Sequence, residues 1–460
     1  MRVLIVTHRS LPAHPAGTEV HTHTLARALA AQGHEVRVFT AEKDVSRPDL
    51  SLTEREHEGV RYTELVNNLF HTSFEQTYRH AGCEARFAEV LEAFEADVVH
   101  ASHLLYHSIG YARIARERGV PFFMTLFDFW LMCPRFGQRR FVDGSLCATI
   151  ERERCARCMT DFKYAATSTE RRVGGALATV KRATGVDLAP LAKRMAGSSG
   201  GGGGPVEPVD DADPAWIAAL ERRERAIRDE LVPRVDAFVA PSRFLRGEFL
   251  RWGLPAERVH FVRTGIDLAP FEGLEREPSD GAVRVRFIGT IVPHKAPHVL
   301  VEAFEQLDAD TRAGLALHLH GPDAHAPAYA EELAARVDAL GGRYHGALAR
   351  TDLAPTLART DLLVVPSVWY ENAPLVILEA LAAGTPVVVS DLGGMRELAL
   401  ESGGAVFPAG DAAALADHLR RAATDRAAFE AAFEGAVPSR RSIEDDARDF
   451  AALWTREPSR

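Results

Sequence analysis

Residues Pro366 to Asp391 read PSVWYENAPLVILEALAAGTPVVVSD, and the change of pattern along this stretch decides the fold class. The residues before it, Asp361 to Val365 (DLLVV), are short, apolar and stopped by Pro366, which predicts a buried strand of a covered parallel sheet. Pro374 suits the first position of a helix, because its fixed φ fits and its missing N–H would have no partner there. Gly384 and Pro386 end that helix. Val387 to Ser390 predicts the next strand. Glu371 falls in the loop and Glu379 in the helix, between Leu378 and Ala380, both at the carboxyl end of the sheet. Open parallel sheets bind ligands at that end, and the free amides around Pro374 to Val376 would cradle a diphosphate.

Two carboxylates beside an anion site make sense as acceptors of hydrogen bonds from hydroxyls, and a sugar nucleotide offers that combination. The plainer reading, a solvated helical glutamate and a loop glutamate, stands beside it. The length of 460 residues predicts two or three domains. Hydrophobic residues at 46% and charged ones at 26% are ordinary for a globular chain, and no apolar run reaches the roughly 18 residues that span a bilayer. The first apolar run, Val3 to Val6, is only strand-length before His8, Arg9 and Ser10, so a cytoplasmic protein is expected. The net charge of −10 argues against a nucleic-acid partner. It is unevenly spread, because Pro134 to Met195 carries 13 Lys and Arg against 6 Asp and Glu. This basic island reads either as solvated helices or as a peripheral contact with an anionic lipid surface at the inner face of the membrane.

Four of the five cysteines, Cys133, Cys147, Cys155 and Cys158, cluster and end in C-x2-C. One tetrahedral structural zinc is the expectation, with free thiols and an iron–sulfur cluster as alternatives.

In chain order, Arg2 to Thr7 predicts a strand, Glu19 to Gln32 a helix and Glu35 to Phe39 a second strand. The intervening loop, His14 to Thr18, contains Gly17 but no G-x-G-x-x-G and no P-loop. His21 and His23, two apart on a helix, point in different directions and read as solvated or locally bonded rather than as metal ligands. Asp97 to His100 predicts a strand followed by Ser102 and His103, and Pro121 to Leu126 a strand leading into Phe127 and Asp128. From about 134 to 230 the βαβ rhythm gives way to an insertion, with a helix at Trp216 to Leu231 and a glycine-rich flexible linker at 197–204, natural or engineered. Strands return at Val235 to Ala240 and Val259 to Thr264, which closes a first domain at 1–268. A second, 269–435, opens with Val283 to Gly289, followed by Thr290 and Lys295. The remainder, 436–460, holds an amphipathic helix at Ile443 to Thr455.

The segment PSVWYENAPLVILEALAAGTPVVVSDLGGMRE, with its E-x7-E of Glu371 and Glu379, closely resembles the donor-site motif of the retaining family-4 glycosyltransferases. The resemblance implies an α/β protein of the GT-B fold, with two Rossmann-like doubly wound domains facing across a cleft and a cysteine-containing helical insertion in the first. The last helix is implied to return to the first domain. Glu371 would contact the donor sugar and Glu379 the ribose, with Asn372, Ala373, Pro374 and Leu375 at the same site. The family's G-R-x4-K-G segment puts an arginine and a lysine on the diphosphate. Here Lys295 is kept, Thr290 stands in the arginine position and Ala296 in the glycine position. The family's GGxE is partly matched by Ala16, Gly17 and Glu19, and its DVVHxH by His100 with Ser102 and His103 displaced. Many members carry a histidine where this chain has Phe127, so Asp128 or His103 is expected to take its place. The resemblance also implies retaining glycosyl transfer, metal-independent and without an organic cofactor. The donor would be a nucleotide sugar and the acceptor a glycan, a lipid-linked sugar or a small molecule. A non-catalytic sugar-nucleotide-binding scaffold and a nucleotide-sugar epimerase are the alternatives.

Overall fold

The structure is a computed structural model describing residues 1–186, 212–277, 279, 281–431, 433 and 441–455. The linker expected at 197–204 lies outside the described residues. The chain divides into two units. The first comprises Met1–Pro241, Arg246–Val262 and Glu444–Arg460, the second Ser242–Leu245 and Arg263–Ile443.

Unit 1 is built on eight strands: β1 (Arg2–Thr7), β2 (Glu35–Glu42), β3 (Leu52–His57), β4 (Val60–Val66), β5 (Val98–Ala101), β6 (Phe122–Thr125), β7 (Ala237–Ala240) and β8 (Val259–Phe261). They lie in the order β3-β4-β2-β1-β5-β6-β7-β8, every pair parallel except the β3–β4 hairpin. Val3 to Val6 are fully buried, as a central strand covered on both faces requires. In β5 the same burial includes His100. The Trp454 indole N–H donates to His100 Nδ1 (3.2 Å), so His100 Nε2 carries the proton and donates to Thr125 Oγ1 (2.8 Å). Burial pushes His100 down to about 3, and it serves the core as a neutral, fully bonded side chain.

The helices that matter here are α1 (Gly17–Ala31), α2 (Arg152–Met159) and α3 (Pro214–Ala226). The helix expected at Trp216 to Leu231 starts two residues earlier, because Pro214 fits the first turn and Asp213 caps it by accepting from Ala215 N–H (2.8 Å). It ends in a π-helical turn, Ile227–Leu231.

Unit 2 holds β9 (Val283–Ile288), β10 (Leu315–His320), β11 (Arg343–Tyr344), β12 (Leu362–Val365), β13 (Val387–Ser390) and β14 (Ala405–Phe407). All are parallel, in the order β11-β10-β9-β12-β13-β14. That is the 3-2-1-4-5-6 order of the doubly wound dinucleotide fold, which reverses direction between β9 and β12. Buried apolar side chains cover both faces, Val285, Phe287, Leu317 and Leu319 on one and Leu363, Val365, Ile377 and Val389 on the other. The helix α4 (Leu375–Ala382) follows β12, and α5 (Gly393–Glu401) follows β13. Pro374 is not the first residue of α4 but its N-cap, in extended conformation with ψ 118°. Its lack of a side-chain acceptor leaves the first-turn amides uncapped. The last helix, α6 (Ile443–Trp454), belongs from Glu444 onward to unit 1. Among the described residues no helix is long and apolar enough to cross a membrane.

Candidate active site

In an open parallel sheet the chain leaves in opposite directions on either side of the reversal point, which opens a crevice at the carboxyl ends of the strands. In unit 2 the segments that come after β9 and β12 meet there. Lys295, in the short turn Pro293–Lys295 after β9, ion-pairs with Glu371 Oε1. The same oxygen accepts from Ser367 Oγ (3.0 Å) and Trp369 Nε1 (2.9 Å), so three donors converge on Oε1. Burial alone would raise the Glu371 carboxyl. The Lys295 charge and the hydrogen bonds from Lys295, Trp369 and Ser367 outweigh it and hold the group below its ordinary value. Glu371 is therefore a buried carboxylate, with its second oxygen available to a hydroxyl.

The loop around it is pinned from behind. Gly394 N–H donates to Glu371 O (2.8 Å), and a Cβ on Gly394 would lie 1.7 Å from Asn372 O, so only glycine admits this approach. Asn372 is buried, while Ala373, Pro374 and Leu375 are half-buried on the way into α4. Ala296, the residue after Lys295, sits fully buried at φ +51°, the left-handed region that favours glycine. Thr290 lies half-buried just beyond Gly289 and takes part in neither ion pair of this unit's site.

Glu379 forms the other pair. It is buried in α4, and the Arg350 guanidinium lies 2.5 Å from its Oε1. Burial raises this carboxyl, and the nearby Arg350 charge opposes the rise only in part. The reading of Glu379 as an exposed helical residue is excluded. Arg350 had no signal in the sequence, since it reaches Glu379 from a separate turn, Arg350–Asp352.

Unit 1 gathers a second cluster at its own reversal point, between β1 and β5. His103 Nδ1 accepts from Leu105 N–H (2.9 Å), which leaves the proton on Nε2, directed at Asp128 Oδ2 (3.0 Å). Asp128 Oδ1 accepts from Trp130 N–H (2.7 Å). Asp128 thus caps the next turn with one oxygen and meets His103 with the other. The His8 ring lies 4.5 Å from the His103 ring, and His8 Nε2 is 3.2 Å from Glu19 Oε1 in the first turn of α1. Burial raises Glu19; burial, then His103 and Arg9, push His8 well below its ordinary value. Gly17 opens α1 and is exposed. Sequence reasoning missed His8, whose partners come from α1 and from the segment after β5.

His21 and His23 are not solvated. Both are buried, His21 against Asp446 of α6 (2.9 Å) and His23 between Tyr62 (2.7 Å) and Glu58 (3.1 Å). They leave α1 in different directions, both interior to unit 1, and each finds a partner far away in sequence. Cys133, Cys147, Cys155 and Cys158 line one small cavity of unit 1, although no three of their sulfurs lie within 4.8 Å of one another. Burial pushes Cys147 up to about 11 and Cys155 up to about 12, and raises Cys133 and Cys158 as well.

The fold is that of an α/β protein with two Rossmann-like sheets, the GT-B class. Residues 282–425 match the family described as glycosyl transferases group 1, residues 16–160 the glycosyl transferase 4-like domain and residues 211–270 glycosyltransferase family 4. The chain belongs to the family-4 glycosyltransferases of the GT-B fold. It is 30% identical over 219 residues to glycogen synthase of Mycobacterium tuberculosis, covering 47% of this chain and 52% of that one. To D-inositol 3-phosphate glycosyltransferase of Xylanimonas cellulosilytica it is 33% identical over 221 residues, covering 43% and 51%. The chain spans about half the length of these curated relatives. The Anabaena protein Alr3699/HepE, solved with UDP and glucose, superposes with a TM-score of 0.61 at 16% identity over 99% of both chains.

Proposed function

We propose that this protein is a retaining glycosyltransferase that moves a sugar from a nucleotide-sugar donor held by unit 2 to a sugar-containing or lipid-linked acceptor served by unit 1. The observation that carries the reading is the Lys295–Glu371 pair at the reversal point of the unit 2 sheet, beside the uncapped start of α4. In this reading the amides of Leu375 and Val376 and the Lys295 ammonium receive the diphosphate. Glu371 takes a donor-sugar hydroxyl on its free oxygen, and Glu379 takes the ribose. Gly17, Thr290, Asn372, Ala373 and Pro374 line the donor. Asp128, oriented by His103, positions the acceptor by accepting from one of its non-reacting hydroxyls, while the leaving phosphate takes the proton of the attacking hydroxyl on the same face of the sugar, without a metal. Neither glutamate is a nucleophile.

The solved Anabaena protein makes a uridine diphosphate sugar the first donor to test. The reading includes a structural zinc on Cys133, Cys147, Cys155 and Cys158, no organic cofactor and no nucleic acid. It places the protein in the cytoplasm, with peripheral contact at the membrane's inner face. The exposed Val173, Val180 and Val186 within the basic insertion support that contact.

The test is nucleotide release from a panel of nucleotide sugars, with and without acceptor, and NMR of the product anomer. Release only with acceptor, with the donor's anomeric configuration kept, is the expected result. Inversion removes the retaining mechanism, interconversion of donor sugars without transfer favours an epimerase, and binding without any turnover favours a scaffold.

A further inference from the structure

The cysteine cavity has about 20 Å³, room for one atom-sized guest and no organic ligand. Its thiols come from three pieces of chain. Cys133 lies in the turn after β6. Cys147 ends a small hairpin in which Arg140 pairs with Leu146 and Cys147 N–H donates to Arg139 O (2.9 Å). Cys155 and Cys158 sit one turn apart on α2. The remaining charge around them is strongly one-sided. Arg135, Arg139, Arg140 and Arg154 line the cavity against the single acid Glu151. Arg139 is committed to Glu248. Arg135 donates to Cys158 O (2.7 Å) and lies 3.9 Å from its sulfur, and the buried Arg154 Nε has no hydrogen-bond partner. Cations gathered around four thiols ask for an anionic centre. A divalent ion held by four thiolates supplies it, with a net charge of two negative units.

The cavity also shares its frame with Asp128. Cys133 N–H donates to Phe129 O (2.7 Å), Gly137 N–H to Cys133 O (3.1 Å) and Phe129 N–H to Gly137 O (3.3 Å), closing residues 128–137 into one hydrogen-bonded turn. Gly137 has φ +71°, and a Cβ there would lie 2.6 Å from the Asp128 carboxyl. The turn that carries Cys133 therefore packs through Gly137 directly against the Asp128 carboxyl. We infer that Cys133, Cys147, Cys155 and Cys158 bind one divalent ion of the zinc class, and that this ion positions Asp128 by locking the 128–137 turn. The coupling rests on the assignment of Asp128 to the acceptor; the metal site does not. On binding, four S–H bonds give way to four sulfur–metal bonds and four protons pass to solvent. At a metal–sulfur distance of about 2.3 Å the sulfurs stand roughly 3.8 Å apart, so the ion draws them inward. Pro134, Arg139 and Cys155 also border a larger cavity of about 570 Å³.

The experiment uses the full chain, purified without added metal. Elemental analysis should find one equivalent of zinc, and substitution by Co2+ should give thiolate-to-cobalt charge-transfer absorption that Cys155→Ser with Cys158→Ser abolishes. Removing the ion with a chelator should speed amide hydrogen exchange at Phe129, Cys133 and Gly137 by tenfold or more, while β13 of unit 2 is unchanged. Less than half an equivalent of zinc with four freely titrating thiols, a disulfide, or an iron–sulfur chromophore overturns the site. Zinc bound but exchange in the turn unaffected by its removal overturns the coupling. Neither readout requires turnover, so an inactive protein that holds zinc in this way contradicts the proposed transfer and leaves the metal site standing.

Discussion

The clusters at the two reversal points solve opposite electrostatic problems. In unit 2 a buried carboxylate, Glu371, is kept charged by a lysine and two neutral donors. In unit 1 a row of groups, Glu19, His8, His103 and Asp128, is packed so that burial works against charge on Glu19 and His8. A site that must receive a diphosphate and sugar hydroxyls benefits from fixed charges. A site that must receive a neutral hydroxyl benefits from uncharged neighbours around one accepting carboxylate. The difference teaches that one unit fixes a buried charge with its donors while the other holds its buried groups against charge, which is the contrast the proposed division of substrates rests on.

The strongest way to break this contrast is at Lys295. Lys295→Ala strands the buried Glu371 charge and should cost about 1–3 kcal/mol of stability, with a tenfold or larger loss of nucleotide affinity. Adding Glu371→Gln should restore the melting temperature but not the affinity. Independent, additive effects of the two substitutions would show that the pair is not coupled.

Next comes Asp128→Asn. The amide oxygen can keep the bond from Trp130 N–H but turns an amide NH2 toward the His103 N–H, so the melting temperature should fall modestly, while turnover falls tenfold or more because the carboxylate facing His103 is gone. Full activity removes Asp128 from the acceptor site.

Acid sharpens the comparison further. His100 and His107 in unit 1 are pushed down to about 3 and 4, and His318 and His320 in unit 2 to about 4 and 3, all chiefly by burial. As pH falls below the ordinary histidine value of 6.5, the unfolded chain takes up protons that the folded chain refuses, so stability drops. Glu371, held below its ordinary 4.5, contributes stability above that value and loses it only as pH falls further. The melting temperature should therefore decline between pH 7 and pH 5, with the raised carboxyls of Glu19 and Glu379 opposing part of the fall. A flat profile over that interval contradicts the assignment of neutral, buried histidines.

The smallest effect is expected at Ala296, which pays for a left-handed backbone that glycine adopts freely. Ala296→Gly should stabilise the protein by up to about 1 kcal/mol, less whatever the lost methyl contributed. A clear destabilisation by thermal melting would show that packing of the methyl outweighs the strain.

The strands at 2–7, 362–365 and 387–390 were legible because burial on both faces writes itself as unbroken apolar runs, as in DLLVV and VVVS, whereas the parallel strands β4 and β14 were not read. Nor was the β3–β4 hairpin, since LTEREH is mostly charged and lies at the sheet edge. Lys295 and Glu371 were expected at one donor site from the family resemblance, though not as partners of each other. Arg350 and His8 were not expected at either site, because each reaches its partner through tertiary placement of a segment without local signal. His21 and His23 misled for a related reason: helical geometry says that they diverge, and only the packing of α1 against α6 and β4 shows that both directions are interior.

The central claim is that unit 2 holds a nucleotide sugar through Lys295, Glu371 and Glu379, and calorimetric titration tests it most directly. Wild type and Glu379→Ala are each titrated with the nucleoside diphosphate released in the transfer assay, starting with UDP. Arg350 is half exposed and can turn to solvent when its partner is removed, so the fold should survive. The predicted result is a loss of about 1–3 kcal/mol of binding free energy in Glu379→Ala, in line with a hydrogen bond to a charged group. Equal affinity in the two proteins would contradict the claim.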